Sequence, residues 1–273
     1  MTADGNGRMI KEEVLMLANY HTHTWRCHHA VGTEEEYVLN AIRAGVEILG
    51  FSDHSPYPME PGYCSNFRMY LDQTRDYLDT VAALREKYKD RIRIYTGFEV
   101  EYYPKYFPGY LEFIKDLPVD YLLLGQHYNL NELEPEVFHV TKKTYAEEPF
   151  TVYTDQVCEG IRTGVFSYIA HPDIYNFAGD PEIYAREAEK ICRAAKEMDL
   201  PLEINGLGIR DHRDYPRDDF WDVAAKVGND VVFGCDAHEP DVVWDAASYE
   251  KAKQMCACRG LRLLETVPLH RPC

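Results

Sequence analysis

The chain has 273 residues, of which 45% are hydrophobic and 27% are charged. This length and composition are typical of a globular protein with one large domain or two, and no apolar run approaches the roughly 20 residues that a membrane span requires. The 46 acidic residues outnumber the 29 basic residues, which gives a formal net charge of −17. This charge would repel phosphate backbones, so it argues against a nucleic-acid binder, and an anionic substrate would need a strong local positive charge.

The first residues and the cysteines bear on the cellular compartment. The first twenty residues include Lys11, Glu12 and Glu13 but no basic start followed by an apolar segment and a small-residue cleavage site, which predicts a cytoplasmic protein. The eight cysteines contain no CxxC pair. Neither a disulfide framework nor a cysteine-type zinc finger is therefore indicated.

Strand and helix patterns alternate along the chain. Apolar and β-branched runs predict strands at residues 14–20, 48–54, 92–100, 121–125, 165–170, 202–205, 231–235 and 261–264. A capping box of Thr33 and Glu36 predicts the start of the first helix. Helical spacing predicts further helices at residues 67–89, 113–117 (the end of a short helix), 150–162, 184–198, 218–227 and 246–258. The alternation, without a linker rich in Pro, Gly or Ser, predicts one parallel α/β domain over residues 1–273, with residues 1–13 as a loose tail.

A closed (β/α) barrel is the expected architecture, and an open doubly wound sheet is the alternative. Neither G-x-G-x-x-G nor G-x-x-x-x-G-K-S/T follows the first strand, which weakens the nucleotide-binding form of the open sheet. In a barrel the carboxyl ends of all strands meet on one face, where active sites are built.

Histidines and acids cluster where the predicted strands end. They are His21, His23, His28 and His29 after the first strand, Asp53 and His54 after the second, Glu99 and Glu101 on the third, His127 after the fourth, His171 after the fifth, and Asp236 and His238 after the seventh. Neutral imidazole and carboxylate are usual ligands of zinc, iron and manganese, and this set exceeds what one tetrahedral ion uses. We therefore expect a site for two or three divalent ions.

The same residues form a set of motifs that resembles the polymerase and histidinol phosphatase (PHP) family. The motifs are His21-Thr-His23-Thr, Cys27-x-His29, Gly50-Phe-Ser-Asp-His54-Ser-Pro, Gly97-Phe-Glu99-Val-Glu-Tyr, Gly125-Gln-His127, Ala170-His171-Pro-Asp and Cys235-Asp236-Ala-His238. The segment Glu203-Ile-Asn205-Gly-Leu-Gly-Ile-Arg210, followed by Tyr215-Pro216, is similar to the histidinol-phosphatase branch. The resemblance extends from residue 14 to about residue 265 and implies a distorted (β/α)7 barrel of the TIM type.

The resemblance also implies three sets of metal ligands. His21 and His23 would share one ion with Glu99 and Asp236, Glu99 would bridge to a second ion held by His127 and His171, and a third ion would be held by His29, His54 and His238. A metal-bridging hydroxide, held by His21, His23, Glu99, His127, His171 and Asp236, would be the nucleophile. Glu99 is preferred to Glu101 because it follows the Gly-Phe of the motif, and His29 is preferred to His28 because of the Cys-x-His spacing. His139 and His212 are left out because neither lies at a predicted strand end.

The branch implies hydrolysis of a small phosphomonoester, with L-histidinol phosphate as the leading substrate. Arg210 is the expected phosphate ligand, and Arg26, in the loop between the first histidines, is a second candidate. The chain departs from the branch at Ile174-Tyr175-Asn176, where a basic residue is usual.

Other functions remain open at this stage. They are a phosphatase with another phosphomonoester substrate, an amidohydrolase-like metal hydrolase, and a metal-binding protein without turnover. An amidohydrolase commonly has a bridging lysine where this chain has Leu124-Gly-Gln-His127, which argues against that class. The oligomeric state is also open, a homo-oligomer included.

Overall fold

The structure is a computed structural model that describes residues 2–3, 9–10 and 16–272. Two short strands, β1 (Thr2–Ala3) and β2 (Met9–Ile10), pair antiparallel near the amino terminus. The rest of the tail predicted at residues 1–13, and the first two residues of the strand predicted at 14–20, lie outside the described residues.

Eight further strands form one parallel sheet, in which each strand pairs with the next one along the chain. They are β3 (Ala18–Asn19), β4 (Ile48–His54), β5 (Arg93–Val100), β6 (Tyr121–Leu124), β7 (Tyr168–Ile169), β8 (Leu202–Asn205), β9 (Asp230–Gly234) and β10 (Arg262–Leu263). A doubly wound sheet would reverse its strand order at a switch point. The unbroken order therefore confirms the barrel-type architecture and contradicts the open-sheet alternative.

The sheet curls until the segments that follow β3 and β9 meet on the carboxyl side. Beyond β3 and β9, Thr22 forms a parallel bridge with Ala237, and the backbone N–H of His23 donates to the Ala237 carbonyl at 2.9 Å. The buried Asn19 reinforces this seam, because its side-chain oxygen accepts from the Cys235 N–H at 3.1 Å and its side-chain nitrogen donates to the Val243 carbonyl at 3.1 Å. At the other end, β10 pairs with β9 instead, so the barrel is distorted as expected.

Helices connect the strands and cover the outside of the sheet. They are α1 (Glu34–Arg43), α2 (Thr74–Tyr88), α3 (Phe107–Ile114), α4 (Glu147–Arg162), α5 (Pro181–Glu197), α6 (Gly206–Arg210), α7 (Asp218–Val227) and α8 (Ala246–Arg259), with 3₁₀ turns at Trp25–Cys27, Leu71–Gln73 and Pro240–Val242. The capping box predicted at Thr33 and Glu36 is present at the start of α1. No helix within the described part of the chain is long and apolar enough to cross a membrane.

Two of the predicted connections differ from the structure. The helix predicted at 67–89 begins only at Thr74, because the preceding segment is tied to the barrel rim, where the Met69 N–H donates to the His54 carbonyl at 3.2 Å. Arg210, for which no helix is predicted, lies at the end of the short helix α6. Its first turn is capped by Asn205, whose side-chain oxygen accepts from the Gly208 N–H at 2.9 Å.

The inside of the barrel is filled by an apolar layer beneath the site. Tyr121 is fully buried there, and its hydroxyl donates to the backbone carbonyls of Tyr20, at 2.6 Å, and Phe51, at 3.1 Å. A Cβ at Gly50 would lie 2.2 Å from the Tyr121 hydroxyl, and one at Gly97 would lie 2.5 Å from its ring. Glycine is therefore required at both positions, because any side chain there would collide with Tyr121, which fills the barrel beneath the site.

Candidate metal centre

A cavity of about 580 Å³ opens at the carboxyl ends of the strands. Six of the nine predicted metal ligands line it, namely His29, His54, His127, His171, Asp236 and His238. The other three, His21, His23 and Glu99, lie behind them and are at most 1% exposed. The fold thus brings residues from six strand ends to one place.

Glu99 is the centre of this cluster. Its Oε2 atom lies 3.1 Å from His54 Nδ1, 3.4 Å from His21 Nε2 and 3.5 Å from His23 Nε2. A single carboxylate oxygen is therefore shared by three imidazoles that come from two different strands.

The other oxygen of Glu99 faces the opposite side of the cluster. Its Oε1 atom lies 2.8 Å from His171 Nε2 and 3.5 Å from His127 Nε2. Glu101, the alternative weighed from the sequence, instead contacts His127 at Nδ1 and is paired with the buried Arg68. This geometry favours Glu99 as the bridging carboxylate.

Asp236 closes the ring of ligands across the barrel seam. Its Oδ1 atom lies 3.1 Å from His23 Nε2, 3.3 Å from His238 Nδ1 and 3.6 Å from His21 Nε2. Asp236 and His171 both have positive φ, 47° and 29°, which is unusual for residues other than glycine. Such strained backbone is typical of functional sites.

Three-residue groups in the cluster have the spacing of metal ligands, with their ligand atoms within 4.8 Å of one another. They include His21–His23–Asp236, His21–Glu99–His171, His23–His54–His238 and Cys27–His29–His238. The first is part of the first predicted set, and the second combines His21 of that set with Glu99 and His171 of the second set. The third predicted set is divided between the last two groups, which bring in His23 and Cys27.

The residues present fit a metal centre. Several buried polar atoms have no hydrogen-bond partner among the described residues, and they are His21 Nε2, both nitrogens of His23, His54 Nδ1, Glu99 Oε2, His171 Nδ1, Asp236 Oδ1 and His238 Nε2. Buried polar groups are nearly always paired, so a cluster of this size indicates a missing partner. Imidazole nitrogens and carboxylate oxygens aimed at one another are the donor set of a divalent transition metal.

The charges of the cluster also suit this role. Although burial alone would raise them, the pKa values of Glu99 and Asp236 are held well below their usual range by the surrounding imidazoles. Burial, reinforced by the neighbouring His23, holds the pKa values of His54 and His238 well below theirs. Although burial alone would lower them, the pKa values of His21, His171 and His23 are raised by the neighbouring carboxylates, that of His23 to about 9. The site therefore combines ionised carboxylates with the neutral imidazoles of His54 and His238, and metal binding at the other three histidines would release their protons.

Buried carboxylates stand behind three of the ligand histidines. Glu203 accepts from His21 Nδ1 at 2.9 Å, Glu101 accepts from His127 Nδ1 at 2.9 Å, and Asp53 lies 3.6 Å from His23 Nδ1. Glu203 has no role predicted from the sequence, and Asp53 is only one of the acids expected at the strand ends. A signal was available, because an acid in the middle of a short strand such as β8, whose residues are all buried, must have a partner.

The two predicted substrate arginines have different surroundings. Arg210 lines the cavity, where its Nη1 lies 3.2 Å from Asp245 Oδ2. Arg26 is buried away from the cavity lining, ion-paired with Glu34 and, at 3.1 Å through Nε, with Asp76. The geometry therefore gives Arg26 a structural role and does not bring it to the substrate.

Two further cavity residues were not selected from the sequence. Arg213 lines the cavity from the segment after α6, with Nη2 3.2 Å from Asp211 Oδ2. His139 also lines it, because an antiparallel bridge to Tyr128 folds its loop back over the rim. Burial and the nearby His127 lower the pKa of His139 to about 4, so this imidazole is neutral at pH 7.

The chain is similar to known proteins of one family. A family model described as the PHP domain matches residues 19–207. A relative from Deinococcus radiodurans, named probable histidinol-phosphatase, is 30% identical over 238 residues, which cover 83% of this chain and 88% of that protein. A histidinol-phosphatase from Bacillus subtilis is 23% identical, over 86% of this chain and 98% of its own length.

A solved structure has the same fold. It is the histidinol phosphate phosphatase of Lactococcus lactis, complexed with zinc, L-histidinol and phosphate. The similarity has a TM-score of 0.72 at 20% identity and covers 93% of this chain and 99% of that one. The distorted barrel described above is therefore an architecture that occurs in a solved protein of almost the same extent.

Proposed function

This chain belongs to the PHP domain family, and we propose that it is a metal-dependent phosphatase that hydrolyses L-histidinol phosphate to L-histidinol and inorganic phosphate. Two relatives carry the name histidinol-phosphatase, one of them with the qualifier probable, and a protein of the same fold was solved with the product pair and zinc. The alignments extend over most of both chains. The proposal therefore concerns the whole of residues 1–273 as one phosphoesterase domain.

We propose that the cluster holds two to three divalent ions of zinc, iron or manganese. One ligand set is His21, His23, Glu99 and Asp236, a second is Glu99, His127 and His171, and a third is His29, His54 and His238. The support is the single observation that carries the function, namely the convergence of buried, unpartnered imidazole and carboxylate atoms around Glu99 at the base of the cavity.

Ions of this kind supply an acidified water as nucleophile and positive charge for the phosphate oxygens when they are bound. The chain's own residues set the charge of the site. Glu99 and Asp236 contribute two negative charges among the proposed ligands, and Glu203 and Asp53 behind the histidines add two more, so two divalent ions would balance these charges and three would leave the site positive. An anionic substrate is thereby attracted to one position on a protein whose formal net charge is −17.

Arg210 is proposed to orient the phosphate. Its guanidinium is held by Asp245 at the cavity wall, and an arginine offers a planar fork of N–H donors that matches two phosphate oxygens. Arg213, on the same side of the cavity, is a second cation within reach of an anion there. It can supply the positive charge that the chain lacks at Ile174, where the branch usually has a basic residue.

The remaining cavity wall suits the organic part of the substrate. Phe67, Ile174, Leu207 and Val242 provide apolar surface, and the exposed Glu239 adds a negative charge at the rim. L-Histidinol phosphate has an imidazole ring that can pack on apolar side chains and an ammonium group that can pair with a carboxylate. A small-molecule substrate of this kind fits a cavity of about 580 Å³.

The cellular compartment proposed is the cytoplasm. All seven cysteines within residues 16–272 are free thiols, and five of them are buried. Free thiols persist in a reducing compartment.

The test is a phosphate-release screen with protein reconstituted in zinc, manganese or iron. The panel contains L-histidinol phosphate, other phosphomonoesters and a cyclic amide, and the highest kcat/KM is expected for L-histidinol phosphate. Asp236→Asn and His171→Ala serve as controls, which should lose turnover while circular dichroism shows an intact fold. Preference for another ester would reassign the substrate, hydrolysis of the amide would favour an amidohydrolase, and a metal-loaded protein without turnover would contradict an enzymatic function.

A further inference from the structure

Three charged side chains, Glu101, Arg68 and Glu132, contact one another in turn and extend from His127 away from the cavity. We propose that Glu101, held in place by Arg68, is a positioning residue that fixes the ring of His127 with Nε2 toward Glu99. The inference rests on the proposed function in one respect, since it takes His127 to be a metal ligand. It goes beyond that function because neither Glu101 nor Arg68 is a ligand or lines the cavity.

The contacts of Glu101 determine which nitrogen of His127 carries the hydrogen. Glu101 is fully buried, and its Oε1 lies 2.9 Å from His127 Nδ1. An ionised carboxylate can only accept a hydrogen bond, so Nδ1 carries the proton and Nε2 keeps its lone pair. His127 Nε2 is the atom that lies 3.5 Å from Glu99 Oε1, at the centre of the cluster.

Arg68 fixes Glu101 from the other side. Its Nη1 donates to Glu101 Oε2 at 2.7 Å, and its Nε donates to Glu132 Oε1 at 2.9 Å. The guanidinium also lies 5.7 Å from the ring centroid of Phe67, within the range of a cation–π contact. With Arg68 only 2% exposed, Glu101 cannot turn away from His127 without losing its cation.

Glu132, which is the charged group farthest from His127, joins two loops. Glu132, in the loop after β6, accepts from the Tyr63 hydroxyl at 3.1 Å and from Ser65. Tyr63 and Ser65 belong to the loop after β4, as does Arg68. Glu101 and Glu132 therefore contact the same guanidinium, but only Glu101 contacts the imidazole.

This difference provides a matched pair of variants. Glu101→Gln and Glu132→Gln remove the same charge from the same arginine and keep the side-chain size. If Glu101 acts on His127, then Glu101→Gln lowers the affinity for one metal ion about 10- to 100-fold, as is typical for a carboxylate behind a ligand histidine. Glu132→Gln should leave metal affinity within about twofold, since it touches no ligand.

The closing experiment is a double-mutant cycle read by metal binding. Metal-free protein is titrated with zinc in a competing chelator, for the wild type, Glu101→Gln, His127→Ala and the double variant, and thermal unfolding of each metal-free protein checks the fold. We expect the loss caused by Glu101→Gln to disappear in the His127→Ala background, because the two residues act as one unit. Glu101→Asp replaces Glu101→Gln in the same cycle if the metal-free glutamine variant is unfolded.

Two results of the double-mutant cycle would overturn the inference. One is an unchanged zinc affinity in Glu101→Gln, and the other is an equal loss with and without His127. Equal losses in Glu101→Gln and Glu132→Gln would also count against it, because they would assign both residues to loop stability. The readout uses no substrate, so a protein that binds zinc but hydrolyses no phosphomonoester would fail the proposed function alone.

Discussion

At the scale of single residues, the site depends on the space left beside its central carboxylate. A Cβ built on Gly125 would lie 1.9 Å from Glu99 Oε1 and 2.5 Å from the carboxyl carbon. Real Cβ atoms do not approach so closely, and the strands β5 and β6 are paired at this point, since Val100 lies opposite Leu124. The glycine of the Gly-Gln-His motif is therefore required by the side chain on the neighbouring strand, not by its own backbone conformation.

Gly125→Ala should displace Glu99 and disrupt the metal centre. We expect metal content, measured by elemental analysis after reconstitution, to fall by at least one ion per chain, together with turnover, because Glu99 contacts five imidazoles. Gly109→Ala is the matched control, since a Cβ there meets nothing within 4 Å. Gly109 lies inside α3, so the control should keep its metals and unfold at a slightly higher temperature. Full metal content in Gly125→Ala would mean that Glu99 is not the bridging ligand.

Arg210→Lys tests the phosphate contact. The charge is kept but the paired hydrogen bonds are lost, so kcat/KM for the best phosphomonoester should fall about 10- to 100-fold, equivalent to roughly 1.4 to 3 kcal/mol. Metal content should not change. Arg26→Lys is the comparison, because Arg26 is paired with Glu34 and Asp76 outside the cavity lining and its replacement should affect stability but not kcat/KM. Loss of metal in Arg210→Lys would make its role structural.

At the scale of secondary-structure elements, two helix starts determine where Arg210 lies. Arg210 is the last residue of α6, and Asn205 caps the first turn of that helix. Asp245 caps α8, where its Oδ1 accepts from the Ser248 N–H at 3.0 Å, and its Oδ2 faces Arg210. Arg210 is thus placed by the short helix that Asn205 caps, and its guanidinium is held by Asp245, the cap of α8.

Replacing Asp245 should separate its two roles. Asp245→Ala removes the cap of α8 and should lower the free energy of unfolding by about 1 kcal/mol, within the range of 0.5 to 2 kcal/mol typical of N-caps. Asp245→Asn keeps an equally good capping oxygen and should lose less than half as much. Urea denaturation of the metal-free proteins measures both. A loss of the same size in the two variants would show that the ion pair with Arg210, not the cap, stabilises this region.

At the scale of the whole molecule, the proposed metal ligands connect strands that are distant in the chain. They follow or belong to β3, β4, β5, β6, β7 and β9, and the seam at Thr22 and Ala237 places the histidines that follow β3 beside Asp236, which follows β9. No local segment holds a complete set. Ions bound here are consequently bound by the native barrel and not by the unfolded chain.

Metal removal should therefore destabilise the whole protein. A ligand present at 100 times its dissociation constant stabilises the native state by about 2.7 kcal/mol, so a strong chelator should lower Tm by several degrees and added zinc or manganese should restore it. Elemental analysis of the reconstituted protein should find two to three ions per chain. Asp236→Asn should show a smaller metal-dependent shift of Tm than the wild type, and a chelator-independent Tm together with fewer than one bound ion would contradict the metal centre.

The strands, the helices and the residues at the strand ends could be predicted from local sequence patterns. The bounds of β4, β8 and α7 agree with the predicted ones, since apolar periodicity and capping are local properties that a window of about ten residues contains. The strand order was reduced to that of a barrel or of a doubly wound sheet, because short right-handed connections leave few alternatives, and the structure shows the order of the barrel. The motif residues were therefore expected on one face before any contact between them was known.

Which side-chain atoms face each other in the site could not be predicted in this way, because it depends on contacts between residues that are distant in sequence. Glu99 and Glu101 lie on the same strand face, so their spacing does not distinguish their roles. Arg68, which comes from another loop, distinguishes them because it neutralises Glu101. Arg26 was expected at the substrate, but it is buried outside the cavity lining and ion-paired with Glu34 and Asp76, whereas Arg213, to which the sequence gave no role, lines the cavity. The sequence therefore determines which groups reach the site, whereas burial and long-range pairing determine which of them are left to bind a ligand.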